Sequence, residues 1–134
     1  MSQPRRALVV DDSKVMRRII VKIVKSLGFD AIEAGDGRDA IAVLEDALYD
    51  GPIDLVLTDW NMPDVDGLQL IRWLRDDPRL DGLPVVMITS ESELGRVEEA
   101  LAAGADEYLM KPFDQAALED KLALLGLLGS EPVT

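Results

Sequence analysis

The 134-residue chain contains neither cysteine nor histidine. The first absence excludes thiol nucleophiles and a disulfide scaffold. The second excludes a histidine general base and any Ser-His-Asp arrangement, and together they leave no ordinary structural zinc site. No apolar run approaches the ~18 residues of a membrane span. Residues 7–10 form a short apolar run after Arg5 and Arg6, but two aspartates end it too early for a secretory signal. A soluble, cytoplasmic protein is therefore expected. An excess of positive charge is also missing: 26 Asp+Glu stand against 14 Lys+Arg, a net charge of −12. That balance provides no basic face for nucleic-acid phosphates or an anionic membrane. What is abundant is carboxylate, which suits a hard cation or basic protein partners.

The length is that of one domain with a core of its own. Charge is unevenly spread along it. Residues 1–29 carry seven basic side chains and two acidic ones, a balance of +5, against −17 in the remainder. Five of the basic residues (Lys14, Arg17, Arg18, Lys22 and Lys25) fall on one predicted helix.

Apolar runs alternate with helical periods. Strands are predicted at 7–10, 30–34, 53–58, 84–89 and 107–110. The first helix follows from Met16, Ile19, Ile20, Ile23, Val24 and Leu27, which recur at i, i+3, i+4, i+7, i+8 and i+11. Ser13 can cap it and Gly28 can end it. A second helix, which Asp36 can cap, presents Ile41, Leu44 and Leu48, and a third presents Leu70, Ile71 and Leu74. A fourth is expected over about 93–103 with Leu94, Val97 and Leu101 inward. A fifth, capped by Asp114, presents Leu118, Leu122 and Leu125. Strands that are apolar on both faces and separated by helices indicate an α/β protein, (βα)5, with a doubly wound parallel five-stranded sheet. The expected division is an N-terminal extension at 1–5, one domain over 6–128 and a frayed tail at 129–134.

In such sheets, sites form beyond the carboxyl ends of the strands. The first strand leads to Asp11 and Asp12, the third to Asp59 and the fourth to Thr89, and the fifth is followed by Lys111. Each of these has a bland reading when taken alone: a helix cap, one aspartate among many, a strand end, a solvated lysine. Together they place three carboxylates, a hydroxyl and an ammonium on one rim. Two carboxylates ~4 Å apart repel by about 4 kcal/mol at an effective dielectric near 20. A hard divalent cation relieves that repulsion, and an all-oxygen donor set suits Mg2+. A carboxylate beside Mg2+ can also act as a nucleophile toward phosphorus, with the lysine neutralising the transferred group. No G-x-x-x-x-G-K-[ST] nucleotide motif accompanies the set.

Four segments carry a resemblance over about residues 6–127: Val9-Val10-Asp11-Asp12-Ser13, Asp59-Trp60-Asn61-Met62-Pro63-Asp64-Val65-Asp66-Gly67, Met87-Ile88-Thr89-Ser90 and Lys111-Pro112-Phe113. The chain resembles the response-regulator receiver domains of two-component signalling, and Asp-Trp-Asn-Met-Pro is most similar to stand-alone chemotaxis regulators. The resemblance implies a flavodoxin-like sheet of strand order 2-1-3-4-5. It also implies a phosphoacceptor, Asp59, served by a histidine kinase or histidine phosphotransfer protein. Mg2+ would be held by Asp11, Asp12, Asp59 and the Asn61 main-chain carbonyl. Thr89 and Lys111 would bind the phosphoryl group, and Tyr108 would be the switch aromatic. Asn61 and Glu91 would tune loss of the phosphate. Lys111–Pro112 would be cis, against a background of ~5–6% for X-Pro bonds. The first helix, with Lys14, Arg17, Arg18, Lys22 and Lys25, would dock the donor.

On this reading the chain is a signalling protein rather than an enzyme. A face formed by the fourth helix, fifth strand and fifth helix would bind an unknown protein target, in chemotaxis first and in another phosphorelay as the alternative. With no histidine, the chain cannot be its own phosphohistidine donor. Residues 91–96 read Glu-Ser-Glu-Leu-Gly-Arg where motor-binding regulators carry lysines, which counts against the flagellar switch as target; Lys121 does match. The last helix lacks a charged pairing stripe, so a monomer is expected. Two other classes fit less well. A Mg2+-dependent phosphatase with an aspartate nucleophile, of the haloacid-dehalogenase type, needs a second aspartate where Asn61 stands. A flavodoxin-like electron carrier would place a phosphate loop where Asp11 and Asp12 stand, and these would repel a flavin phosphate.

Overall fold

The computed structural model describes residues 4–128. The predicted tail at 129–134 and the first three residues of the predicted extension lie outside them. Five parallel strands, β1 (Arg6–Val10), β2 (Asp30–Ala34), β3 (Leu55–Asp59), β4 (Val85–Thr89) and β5 (Glu107–Met110), form one sheet in the order β2-β1-β3-β4-β5. Between and after them run α1 (Lys14–Ser26), α2 (Gly37–Asp50), α3 (Gly67–Arg75), α4 (Val97–Ala103) and α5 (Gln115–Leu124). The expected class and strand order are both present.

Side chains leave a strand on alternate faces, so each central strand feeds two cores. Leu8, Val10, Val56, Val85 and Met87 pack on one side with Ala40 and Leu44 of α2, Leu70, Ile71 and Leu74 of α3, and Ala100 of α4. Ala7, Val9, Leu55, Leu57, Val86 and Ile88 pack on the other with Ile20 and Val24 of α1 and Leu118 and Leu122 of α5. Every residue of β3 and β4 is buried. This is why those strands read as continuous apolar runs rather than as alternations.

The caps fall where expected. Ser13, Asp36 and Asp114 each accept a backbone N–H at the start of α1, α2 and α5. Asp66 opens α3 in a reciprocal capping box with Gln69.

Two expectations need correcting. Ile19 faces outward and is 47% exposed. The helical repeat gives α1 a wider apolar stripe than the sheet covers, and Ile20 and Val24 take the buried positions. The predicted fourth helix is two pieces, a 3-10 turn over Glu91–Arg96 and a short α4. Leu94 and Leu101 are 42% and 41% exposed, while Glu93 and Ala100 are buried. A small alanine lets α4 lie close to the first core, and Glu93 turns inward because its carboxylate closes the 3-10 turn on Ser90.

Candidate functional site

The chain reverses its direction of progress across the sheet between β1 and β3, and the crevice beyond their carboxyl ends is where open α/β sheets bind ligands. Asp11 follows β1 and Asp59 ends β3, so the topology alone brings them together. Carboxylate oxygens of Asp11, Asp12 and Asp59 all lie within 4.8 Å of one another. Asp11 and Asp59 are buried, and Asp12 is exposed at the mouth.

Lys111, on the loop after β5, reaches between the two buried aspartates. Its Nζ is 3.2 Å from Asp11 Oδ2 and 3.1 Å from Asp59 Oδ1. The Lys111–Pro112 peptide bond is cis, as the resemblance implies. Asp11 Oδ1 accepts the Ser13 N–H at 2.9 Å, and Asp59 Oδ1 accepts the Trp60 N–H at 3.0 Å. Both Asp59 contacts are therefore on Oδ1, and among the described residues Oδ2 has no hydrogen-bond partner. One oxygen is anchored and the other is not.

The electrostatics match this geometry. Burial first, and the charge of Asp11 second, push the Asp59 carboxyl above its ordinary range; Lys111 and the Trp60 N–H oppose that shift without cancelling it. Burial pulls the Lys111 ammonium down, but Asp59 and Asp11 outweigh it and hold the group above its usual value. The cluster is thus short of positive charge even with Lys111 in place. A hard cation answers that deficit, and three oxygen-bearing side chains with Asp12 open to solvent suit Mg2+.

Thr89, at the end of β4, is fully buried, and its hydroxyl has no hydrogen-bond partner. A buried hydroxyl left unpaired costs roughly 1–3 kcal/mol, a cost that an acceptor placed beside Thr89 would relieve.

The loop after β3 is fixed by close backbone approach. A Cβ at Gly67 would stand 2.3 Å from the Asp59 carbonyl oxygen and 3.0 Å from Trp60 Cα. The Gly67 N–H donates to the Trp60 carbonyl at 2.8 Å. In the same loop Asp64 adopts φ 70°, a conformation that aspartate tolerates better than most residues, and it pairs with Arg38.

The remaining predicted residues divide. Lys14, Arg18, Lys22 and Lys25 are exposed along α1, beside outward-facing Val15 and Ile19. Arg17, also expected in the docking set, is half-buried. Its guanidinium folds back to Glu33 at 2.9 Å and to the Asp11 carbonyl at 2.8 Å, because those acceptors lie within reach of α1's sheet-facing edge. Tyr108 is half-buried with Lys121 Nζ 4.6 Å over its ring, and Lys121 also pairs with Glu107 at 2.9 Å. Asn61 and Glu91 are both exposed, and the side chain bonded to Asn61 is Glu93. In the sequence, Glu93 is one of several acidic residues at a helix start. The Ser90-x-x-Glu93 spacing of a capping box was its one legible signal.

Residues 7–123 match the family model described as response regulator receiver domain. The chain is 42% identical over 118 residues to the chemotaxis protein CheY of Pseudomonas aeruginosa, spanning 87% of this chain and 92% of that protein. It is 41% identical over 123 residues to the chemotaxis protein CheY-3 of Vibrio cholerae, spanning 91% and 92%. The solved structure of the chemotaxis response regulator CheY4 of Vibrio cholerae superposes with a TM-score of 0.82 at 28% identity, covering 92% of this chain and 99% of that one.

Proposed function

The chain belongs to the response regulator receiver domain family, and on that premise we propose that Asp59 accepts a phosphoryl group from the phosphohistidine of a histidine kinase or histidine phosphotransfer protein. The observation that carries this is the asymmetry of the Asp59 carboxylate: Oδ1 is held by Lys111 and the Trp60 N–H, while among the described residues Oδ2 has no hydrogen-bond partner, in a carboxylate that stands beside those of Asp11 and Asp12. Oδ2 attacks phosphorus and forms the new O–P bond. The donor's N–P bond breaks, its electron pair stays on the imidazole nitrogen, and that nitrogen takes a proton from solvent. Lys111 keeps Asp59 oriented and sets positive charge beside the transferred oxygens. Asp11, Asp12, Asp59 and the Asn61 main-chain carbonyl are the residues that would hold Mg2+, which when bound neutralises phosphoryl charge.

After transfer, Thr89 donates its hydroxyl to a phosphoryl oxygen and so gains the partner it lacks. Tyr108 responds to that movement, and the face of α4, β5 and α5, where Leu101 and Met110 are exposed, binds a protein target. Chemotaxis is the pathway that the similarity to CheY proteins supports, with the chain acting as a monomer. Lys14, Arg18, Lys22 and Lys25 receive the donor. Asn61 and Glu91, both exposed, tune how fast the phosphate is lost.

Trp60 adjoins Asp59 and is fully buried, so its emission tests the reading. In a Trp73→Phe background, addition of Mg2+ and then acetyl phosphate should change Trp60 emission in two steps. Asp59→Asn should remove the second. A chain that responds to neither addition would overturn the proposal.

A further inference from the structure

The 3-10 turn at Glu91–Arg96 is fastened to the two residues that follow Asp59. The Arg96 guanidinium lies 4.8 Å from the centroid of the Trp60 ring. Glu93, only 5% exposed, accepts the Ser90 N–H on Oε1 at 2.9 Å and the Asn61 side-chain amide on Oε2. A carboxylate is an acceptor only, so it dictates which end of the Asn61 amide faces it. The NH2 group is taken up by Glu93, and among the described residues nothing donates to the Asn61 amide oxygen.

The geometry points to Glu93 as a positioning residue for phosphate loss: by holding the Asn61 NH2, it presents the Asn61 amide oxygen to the attacking water. This rests on the phosphoacceptor reading above and adds a third side chain to the Asn61 and Glu91 pair. In that loss, water oxygen forms a bond to phosphorus and the Asp59 Oδ2–P bond breaks. The electron pair returns to the carboxylate, and the water proton passes to the departing phosphate or solvent. An acceptor fixed in place beside the water orients its lone pair toward phosphorus, and such orientation is the part of the barrier a side chain can lower here.

Glu93→Gln separates this role from a structural one. Glutamine keeps the capping box, because its Oε1 still accepts the Ser90 N–H. Its other atom is then an NH2 group facing Asn61, so the Asn61 amide must turn its oxygen inward and present NH2 to the water. The experiment loads each chain with Mg2+ and acetyl phosphate, removes the donor by rapid gel filtration and follows loss of phosphate by intact mass. Glu93→Gln should lose it roughly fivefold more slowly, about the worth of one hydrogen bond in the transition state. Asn61→Ala should also slow the loss, and adding Glu93→Gln to it should slow it no further, since both changes remove one interaction. Decay of Glu93→Gln at the wild-type rate, or additive effects in the double variant, would overturn the inference while leaving the phosphoacceptor reading intact. A wild-type chain that takes up no phosphoryl group overturns both.

Discussion

Asp59 is under electrostatic stress before any chemistry begins. Burial and Asp11 hold its carboxyl above the ordinary range, so the folded chain binds that proton more tightly than the unfolded chain does. By linkage, the contribution of this group to stability is fully present below the unfolded carboxylate value of about 4 and is lost as pH rises through the raised folded value. Asp59→Asn removes the ionisation. It should melt higher than the wild type at neutral pH, with the difference shrinking as both are taken toward pH 4. A wild type that melts higher than the variant at neutral pH would contradict the assignment of a net unfavourable charge. The aspartates, Thr89 and Lys111 were legible in the sequence because each sits at the end of an apolar run, and strand ends converge in a parallel sheet. Glu93 was not: one acidic residue among several at a helix start looks solvated, and only the fold brings it against Asn61. Arg17 reads as one more surface cation for the converse reason, since its partner Glu33 lies on a different element.

At the scale of elements, the loop from Asp59 to α3 depends on an absent side chain. Any Cβ at Gly67 meets the Asp59 carbonyl oxygen at 2.3 Å, a backbone atom with no room to yield. Gly67→Ala should therefore cost about 2–3 kcal/mol in denaturant unfolding, in the range of overpacked sites, and should weaken Mg2+ binding because Asp59 is displaced with the loop. Gly82→Ala is the control. A Cβ there meets nothing within 4 Å, so the change should be neutral or slightly stabilising through the unfolded chain. Equal effects at the two positions would remove the steric account. The strands and the caps at Ser13, Asp36 and Asp114 were readable because burial on both faces and capping leave strong local patterns. The segment before α4 was not. Leu94, Val97 and Leu101 fit a helical period, but the packing uses Ala100 and Glu93 instead, and a pattern in apolar residues cannot reveal a buried carboxylate that closes a turn.

Over the whole molecule, charge is segregated. The first 29 residues hold a balance of +5 against −17 in the rest, and four exposed basic residues line α1 beside the exposed Val15 and Ile19. A stripe of positive charge alongside exposed apolar side chains suits an acidic protein donor and should speed encounter more than it tightens the complex. Reversing Arg18 and Lys22 to glutamate should slow phosphotransfer from a phosphohistidine protein and flatten its dependence on salt, while loading from acetyl phosphate stays as it was. Unchanged transfer with unchanged salt dependence would remove α1 from the docking surface. No helix among the described residues is long and apolar enough to cross a membrane, in keeping with the absence of long apolar runs in the sequence.

The most direct test of the central claim is chemical mapping of the modified residue. The chain is incubated with Mg2+ and acetyl phosphate, any acyl phosphate is reduced with borohydride, and the peptides are sequenced by mass spectrometry. Asp59 should appear as homoserine, only when Mg2+ and the phosphodonor were both present, with Asp11 and Asp12 unchanged. Reduction at Asp11 or Asp12 in place of Asp59, or at no aspartate, would contradict the assignment of Asp59 as the phosphoacceptor.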